Sequence, residues 1–207
     1  MEKNEEKEGE KEYTFDAICF STNFINFSSM KIMNQYFMSA DCFDINRSDE
    51  NSVTFKHKLK YGNNIEIECK NSYFEISLTN KTKIKKDFDC FLIFFDLEFS
   101  DSLGELNKVI KNLSNLSEND KRLYIVKFFM EEKHIKKNFK DTNITNILDK
   151  YGFNISEILE VNMNIPDELI NKIDKISLDT LQSNNLFPDN LSSRVDKSES
   201  NSKCIII

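Results

Sequence analysis

Apolar positions along the chain follow two alternating periods, and that alternation predicts the elements. Phe15-Asp16-Ala17-Ile18-Cys19-Phe20 reads as a short strand, followed by a loop and a helical pattern from Ser28 to Met38. Residues 52–61 and 64–69 read as two strands around Tyr61-Gly62-Asn63-Asn64, residues suited to a hairpin turn. In the second of these, Ile65, Ile67 and Cys69 alternate with Glu66, Glu68 and Lys70, the signature of a half-buried strand. Cys90-Phe91-Leu92-Ile93-Phe94-Phe95 is apolar throughout, as expected of a central strand covered on both faces. Leu103, Leu106, Val109, Ile110 and Leu113 then have helical spacing, and Leu123 to Phe129 reads as another buried strand. Ile144, Ile147, Leu148 and Tyr151 repeat the helical period, with Gly152 at the C-cap position. Ile158 to Val161 is a short strand. Pro166, Asp167 and Glu168 open a last helix that carries Leu169, Ile170, Ile173, Ile176 and Leu181.

The predicted order is β α β β (α) β α β α β α, the bracketed helix lying between the hairpin and Cys90. Strand–helix alternation of this kind predicts a doubly wound α/β domain over residues 13–182: a six-stranded, mostly parallel sheet with one antiparallel strand and helices on both faces. Residues 1–12 carry six Glu and three Lys with no apolar residue after Met1, too little to offset ordering entropy, so an acidic disordered tail is expected there. Residues 183–207 read as a flexible C-terminal tail.

Composition narrows the function classes. The 207 residues, 39% hydrophobic with 18 Phe, suffice for one well-packed domain. A net charge of −7 argues against a nucleic-acid surface, which needs a concentrated basic face. The basic runs Lys81 to Lys86 and Lys133 to Lys140 read as solvated faces. Five cysteines without metal spacing or a C-x-x-C pair suit reduced thiols in the cytosol. His57 and His134 have no partner at ligand spacing, and Asp87 and Asp89 flank Phe88 as a solvated start to the central strand. The hydrophilic N-terminus is not a signal peptide, and the longest apolar run is too short to cross a bilayer. The chain closes on Cys204-Ile205-Ile206-Ile207, which reads as a C-a-a-X prenylation box, with Cys204 taking the isoprenoid. The tail around it is nearly neutral, so one lipid chain would give a weak, reversible anchor.

Between the first strand and first helix stands Ser21-Thr22-Asn23-Phe24-Ile25-Asn26-Phe27-Ser28; after the hairpin comes Asn71-Ser72-Tyr73-Phe74-Glu75; the strand at Leu123 ends in Phe128-Phe129-Met130-Glu131. With the element order and the terminal cysteine box, these stretches make residues 13–181 resemble the Ras superfamily of small GTPases, closest to the Rab branch. The resemblance implies a guanine-nucleotide site with Mg²⁺, and it implies that this site is degenerate. The family's phosphate loop is Gly-x-x-x-x-Gly-Lys-Ser/Thr; here Ser21 and Asn26 replace the glycines, Phe27 replaces the lysine, and Ser28 keeps the Mg²⁺-side hydroxyl, with Ser29 next to it. Backbone wrapping of phosphate needs the glycines, and the β/γ oxygens need the lysine charge. Lys31, one helical turn on, is placed to reach back. Ser48 falls at the switch I threonine. In the Asp-x-x-Gly-Gln stretch, Asn71, Phe74 and Glu75 stand for the metal-side aspartate, the γ-phosphate glycine and the water-orienting glutamine. In the guanine-reading Asn-Lys-x-Asp, Phe128 and Phe129 replace the first two residues and Glu131 retains a carboxylate. Asn162-Met163-Asn164 occupies the Ser-Ala-Lys loop.

If nucleotide is retained, the resemblance leaves Ser28, Ser29, Ser48 and Glu131 to bind it, and Ser28 to meet Mg²⁺; it leaves no catalytic residue. A hydrogen bond to a charged group contributes about 1.5–3 kcal/mol, so losing the lysine, asparagine and aspartate contacts costs on the order of 5–8 kcal/mol, roughly four to five decades of affinity. Phe24, Phe27 and Phe74 are expected to plug the vacated pocket. The function expected is a monomeric pseudo-GTPase: a nucleotide-free, prenylated binding module for trafficking effectors or prenyl-escort proteins. It would sit on the cytoplasmic face of an intracellular membrane, with a cytosolic pool. Two alternatives stand beside it: a divergent but working GTP-binding Rab GTPase that reads guanine through Glu131, and an unrelated doubly wound binding domain.

Overall fold

The computed structural model describes residues 16–23, 25–39, 42–47, 52–61, 65–76, 88–115, 122–136 and 139–183. The predicted N-terminal tail, residues 184–207 with Cys204, the hairpin turn residues 62–64, the bracketed helix position, the run 81–86, Phe24 and Ser48 lie outside them, whereas Ser183 of the predicted C-terminal tail is helical. The elements are β1 (Asp16–Ser21), α1 (Ser29–Ser39), β2 (Cys42–Arg47), β3 (Ser52–Tyr61), β4 (Ile65–Ile76), β5 (Cys90–Asp96), α2 (Ser102–Ser114), β6 (Arg122–Phe129), α3 (Asp141–Lys150), β7 (Glu157–Asn162) and α4 (Pro166–Ser183). A short 3₁₀ turn covers Glu132–His134.

The chain is an α/β protein with a parallel sheet flanked by helices. Strand order is β2-β3-β4-β1-β5-β6-β7. The β4–β1, β1–β5, β5–β6 and β6–β7 pairs are parallel, whereas β2–β3 and β3–β4 are antiparallel, so β3 alone opposes the other strands. Against the six strands expected, the sheet among the described residues has seven. The added one is β2, paired to β3 through Cys42↔His57 and Arg47↔Val53 with an irregularity between Phe43 and Asn46. Only Phe43 and Ile45 give β2 a strand-like period, and six residues broken by a bulge carry little signal. β4 is also longer than predicted. Its first part pairs with β3 alone, and Tyr73 to Ile76 also pair with β1. Asn71-Ser72 interrupts the alternation at the junction and hides the continuity.

Alternation along β5 sorts the core into two layers. Cys90, Leu92 and Phe94 join Ile32, Met33, Tyr36, Leu169, Ile173 and Ile176, so α1 and α4 cover that face. Phe91, Ile93 and Phe95 join Leu106, Ile110, Leu113, Ile144 and Leu148, so α2 and α3 cover the other. All seven residues of β5 are buried, as its unbroken apolar run predicts. The Tyr36 hydroxyl donates to Asp174 Oδ1 at 2.8 Å and ties α1 to α4. Among the described residues, no helix is long and apolar enough to cross a membrane.

Gly152 stands after α3 with φ of 75°, a left-handed value that favours glycine. There its N–H donates to the Asp149 carbonyl at 3.1 Å and the Phe153 N–H to the Leu148 carbonyl at 3.1 Å. Gly152→Ala is expected to lower stability by about 1 kcal/mol in urea denaturation, with the slope unchanged.

Cys19 and Cys90 lie fully buried on the α1/α4 face. Burial pushes both thiols up; Cys90 adds to the effect on Cys19, and Asp89 raises Cys90 further while the Thr180 hydroxyl and Arg122 lower it in part. Because the folded values lie above the ordinary 9.0, the stabilisation is complete below pH 9 and is lost as pH rises above it, when unfolded thiols ionise and folded ones do not. Each thiol then removes about 1.4 kcal/mol between pH 8 and 10. Denaturation at the two pH values should show wild type losing about 2–3 kcal/mol more than a Cys19→Ala/Cys90→Ala variant. Equal losses would refute the assignment.

Candidate functional site

Strand order reverses between β1 and β5: the connection through α1 leads to the β2–β3–β4 side, and that through α2 leads to β6. Open α/β sheets bind ligands outside the carboxyl ends of their strands at such a reversal. The candidate site is therefore the crevice edge formed by the loops after β1, β5, β6 and β7. Ser21, Asn26, Phe27, Ser28, Phe128, Phe129, Glu131 and Asn162 all stand in these loops or the strand ends leading into them.

Side chains of the loop itself organise the turn after β1. Ser21 Oγ donates to the Phe27 carbonyl at 2.5 Å and accepts the Asn23 N–H at 3.2 Å. The Phe27 N–H donates to the Asn23 carbonyl at 2.8 Å, and the Asn26 N–H to Asn23 Oδ1 at 3.4 Å. These are the backbone donors that a phosphate-wrapping loop would turn toward its ligand. The Phe27 ring meets Phe128 edge-on at 5.6 Å and packs against the α1/α4-side core. Lys31 does reach back, but to protein: its Nζ donates to the Asn26 carbonyl at 2.9 Å and lies 4.7 Å from the Phe27 ring centre. Ser28 Oγ accepts the Lys31 N–H at 3.3 Å, which makes it the N-cap of α1.

Deeper in, the reversal point is filled by a buried polar cluster. Thr22 Oγ1 donates to Ser102 Oγ at 3.1 Å and accepts the Asp96 N–H at 3.0 Å; Ser102 Oγ donates to the Asp96 carbonyl at 2.6 Å. The Asp96 carboxylate accepts Asn23 Nδ2 at 2.7 Å on one oxygen, and the N–H groups of Glu98 at 2.8 Å and Phe99 at 3.2 Å on the other. Every polar side chain in this cluster has a partner, as burial requires.

The loops after β6 and β7 are tied down in the same manner. Glu98 Oε1 accepts the N–H of Met130 at 3.2 Å and of Glu131 at 2.7 Å. Asn164 Nδ2 donates to the Met130 carbonyl at 2.6 Å, and the Asn162 N–H to Glu168 Oε2 at 2.8 Å. Phe128 and Phe129 are buried, while the exposed Glu131 carboxylate pairs with Lys133 at 2.6 Å. His134 Nδ1 lies 3.9 Å from both Glu98 and Glu131.

The second motif does not reach the site. Asn71, Phe74 and Glu75 stand inside β4, where Phe74 is opposite Ala17 and Glu75 opposite Ile18. Ala17 precedes Ser21 by four residues, which places Phe74 roughly 13 Å short of the carboxyl edge at about 3.3 Å per residue. By this register the three positions lie within β4, short of the edge, rather than in a loop. Of the residues expected to plug the pocket, Phe27 stands at the edge and Phe74 lies inside β4, while Phe24 is outside the described residues. Ser29 is the first residue of α1.

Asn23, Asp96 and Glu98 gain roles that the motif reading did not assign. Asp96 carried a signal, an acidic residue closing an apolar strand. Glu98 carried none, because its partners lie more than thirty residues away in sequence. Of the groups that the resemblance would turn toward guanine nucleotide, the N–H groups of Asn23, Asn26 and Phe27 are bonded within the loop, Phe27 packs its ring on Phe128, and the Ser28 hydroxyl accepts a helix N–H. No protein-family model matches the sequence, and no curated protein matches it.

Proposed function

We propose that the chain is a Rab-like protein of the small-GTPase fold that has lost the nucleotide cycle and acts as a membrane-anchored binding module in vesicle-mediated protein transport. The strand order, the layering of α1 with α4 against α2 with α3, and the single opposed strand support the P-loop GTPase-like reading. The observation that carries the loss of the cycle is the self-bonded turn after β1, with Phe27 against Phe128 in place of a phosphate-binding lysine.

With Asn71 removed from the reckoning, the absent lysine and guanine-reading asparagine leave a deficit of about 3–6 kcal/mol, or roughly two to four decades of affinity. Opening the self-bonded loop adds to it. Reading guanine through Glu131 would first require release of Lys133. On this account the protein is a monomer that engages trafficking effectors or prenyl-escort proteins through its surface, with prenylated Cys204 holding it to the cytoplasmic face of an intracellular membrane.

The test is the nucleotide content of freshly purified protein, released by heat and resolved by anion-exchange chromatography. The expected result is far below one nucleotide per chain; a stoichiometric amount would contradict the proposal. The membrane half is tested separately by isoprenoid-analogue labelling, expected in wild type and lost in Cys204→Ser. An unlabelled wild type would remove the anchor from the account.

A further inference from the structure

The carboxyl edge of the sheet is bonded to itself in a continuous line. Asn23, after β1, donates to Asp96 at the end of β5; Glu98, just beyond, accepts from Met130 and Glu131 after β6; Met130 in turn accepts from Asn164 after β7. At two points the acceptor is a carboxylate oxygen holding two successive backbone N–H groups: Glu98 and Phe99 on Asp96, and Met130 and Glu131 on Glu98. Successive N–H groups converging on one oxygen form the arrangement that binds anions, and a charged acceptor strengthens each bond.

We propose that Asp96 and Glu98 are the resident anions of this edge: their carboxylates take backbone donors of the kind a phosphate would take and hold the loops after β1, β5 and β6 in one arrangement without any ligand. The inference rests on reading the crevice as a former nucleotide site, and it adds a mechanism: the switch-point loops are fixed by self-ligation rather than left open. A ligand-dependent switch needs donors that are vacant in one state and filled in the other. Here the donors are filled by side chains attached to the same framework. An incoming phosphate would meet two carboxylates, with His134 standing 3.9 Å from Glu98 at the outer side.

Amide hydrogen exchange on the full chain tests this, with Glu98→Ala, Glu98→Gln and wild type compared with and without millimolar inorganic phosphate. Glu98→Ala should raise exchange at Met130 and Glu131 roughly tenfold, the equivalent of one charge-assisted hydrogen bond. Glu98→Gln, which keeps an acceptor oxygen, should retain most of the protection. Phosphate should restore protection at these two amides in Glu98→Ala and leave wild type unchanged. Unchanged exchange in Glu98→Ala, an equal rise throughout the sheet, or failure of phosphate to protect would each overturn the inference. Stoichiometric nucleotide in wild-type protein would overturn the functional proposal instead, and leaves the exchange pattern to be judged by itself.

Discussion

Asp96→Ala is expected to lower stability by about 3–5 kcal/mol, because it removes a buried acceptor and strands its donors. Asp96 is only 2% exposed, and its carboxylate is the acceptor for Asn23 Nδ2 and for two backbone N–H groups. Alanine leaves all three donors without a partner, in a cluster closed by Thr22 and Ser102. Asp96→Asn keeps one acceptor oxygen but turns an amide N–H₂ toward that of Asn23, so a smaller loss of about 2 kcal/mol is expected. The double variant Asp96→Asn/Asn23→Asp exchanges the two groups and should recover part of it, a coupling that a cycle of urea denaturations measures directly. A loss below about 1 kcal/mol for Asp96→Ala would show that water replaces the carboxylate and that the cluster does not hold the crevice.

The other large effect belongs to the opposite layer. Phe91 is fully buried on the α2/α3 face, with its ring 4.8 Å from Phe88, 6.3 Å from Phe20 and 6.4 Å from Phe153. Phe91→Ala should cost about 3–5 kcal/mol from lost transfer energy and the cavity left behind. Phe91→Leu, closer in volume, should cost less than about 1.5 kcal/mol. Both are read from the urea midpoint, with the slope unchanged. Neither variant touches the carboxyl edge, so amide exchange at Met130 and Glu131 should follow global stability in these variants, in contrast to its local response in Glu98→Ala.

The core was legible in the sequence because burial writes itself as period. Cys90 to Phe95 is apolar at every position, and the structure buries it on both faces; Leu103 to Leu113 and Ile144 to Leu148 give helices on the faces that their spacing requires. β2 and the second half of β4 were less legible, because β2 is six residues long with an irregularity between Phe43 and Asn46, and Asn71-Ser72 breaks the alternation where β4 gains β1 as a partner. That misplacement carried a consequence, since Asn71, Phe74 and Glu75 were aligned to a loop that β4 has not yet reached.

The site divides in the same way. That the turn after β1 carries neither glycine nor lysine at Ser21, Asn26 and Phe27 could be read directly from residue types. The bonds that hold this edge could not, because Asn23–Asp96 and Glu98–Glu131 join residues more than thirty positions apart, which no local pattern records. Lys31 was legible as a group able to reach back, and its partner proved to be the Asn26 carbonyl.

The central claim is that this crevice is closed to guanine nucleotide by the chain itself. Isothermal titration of GTP and of GDP into the full chain, in Mg²⁺ and at tens of micromolar protein, tests it most directly. The account predicts no saturable heat for either nucleotide; a submicromolar dissociation constant that is lost on chelating Mg²⁺ would contradict it.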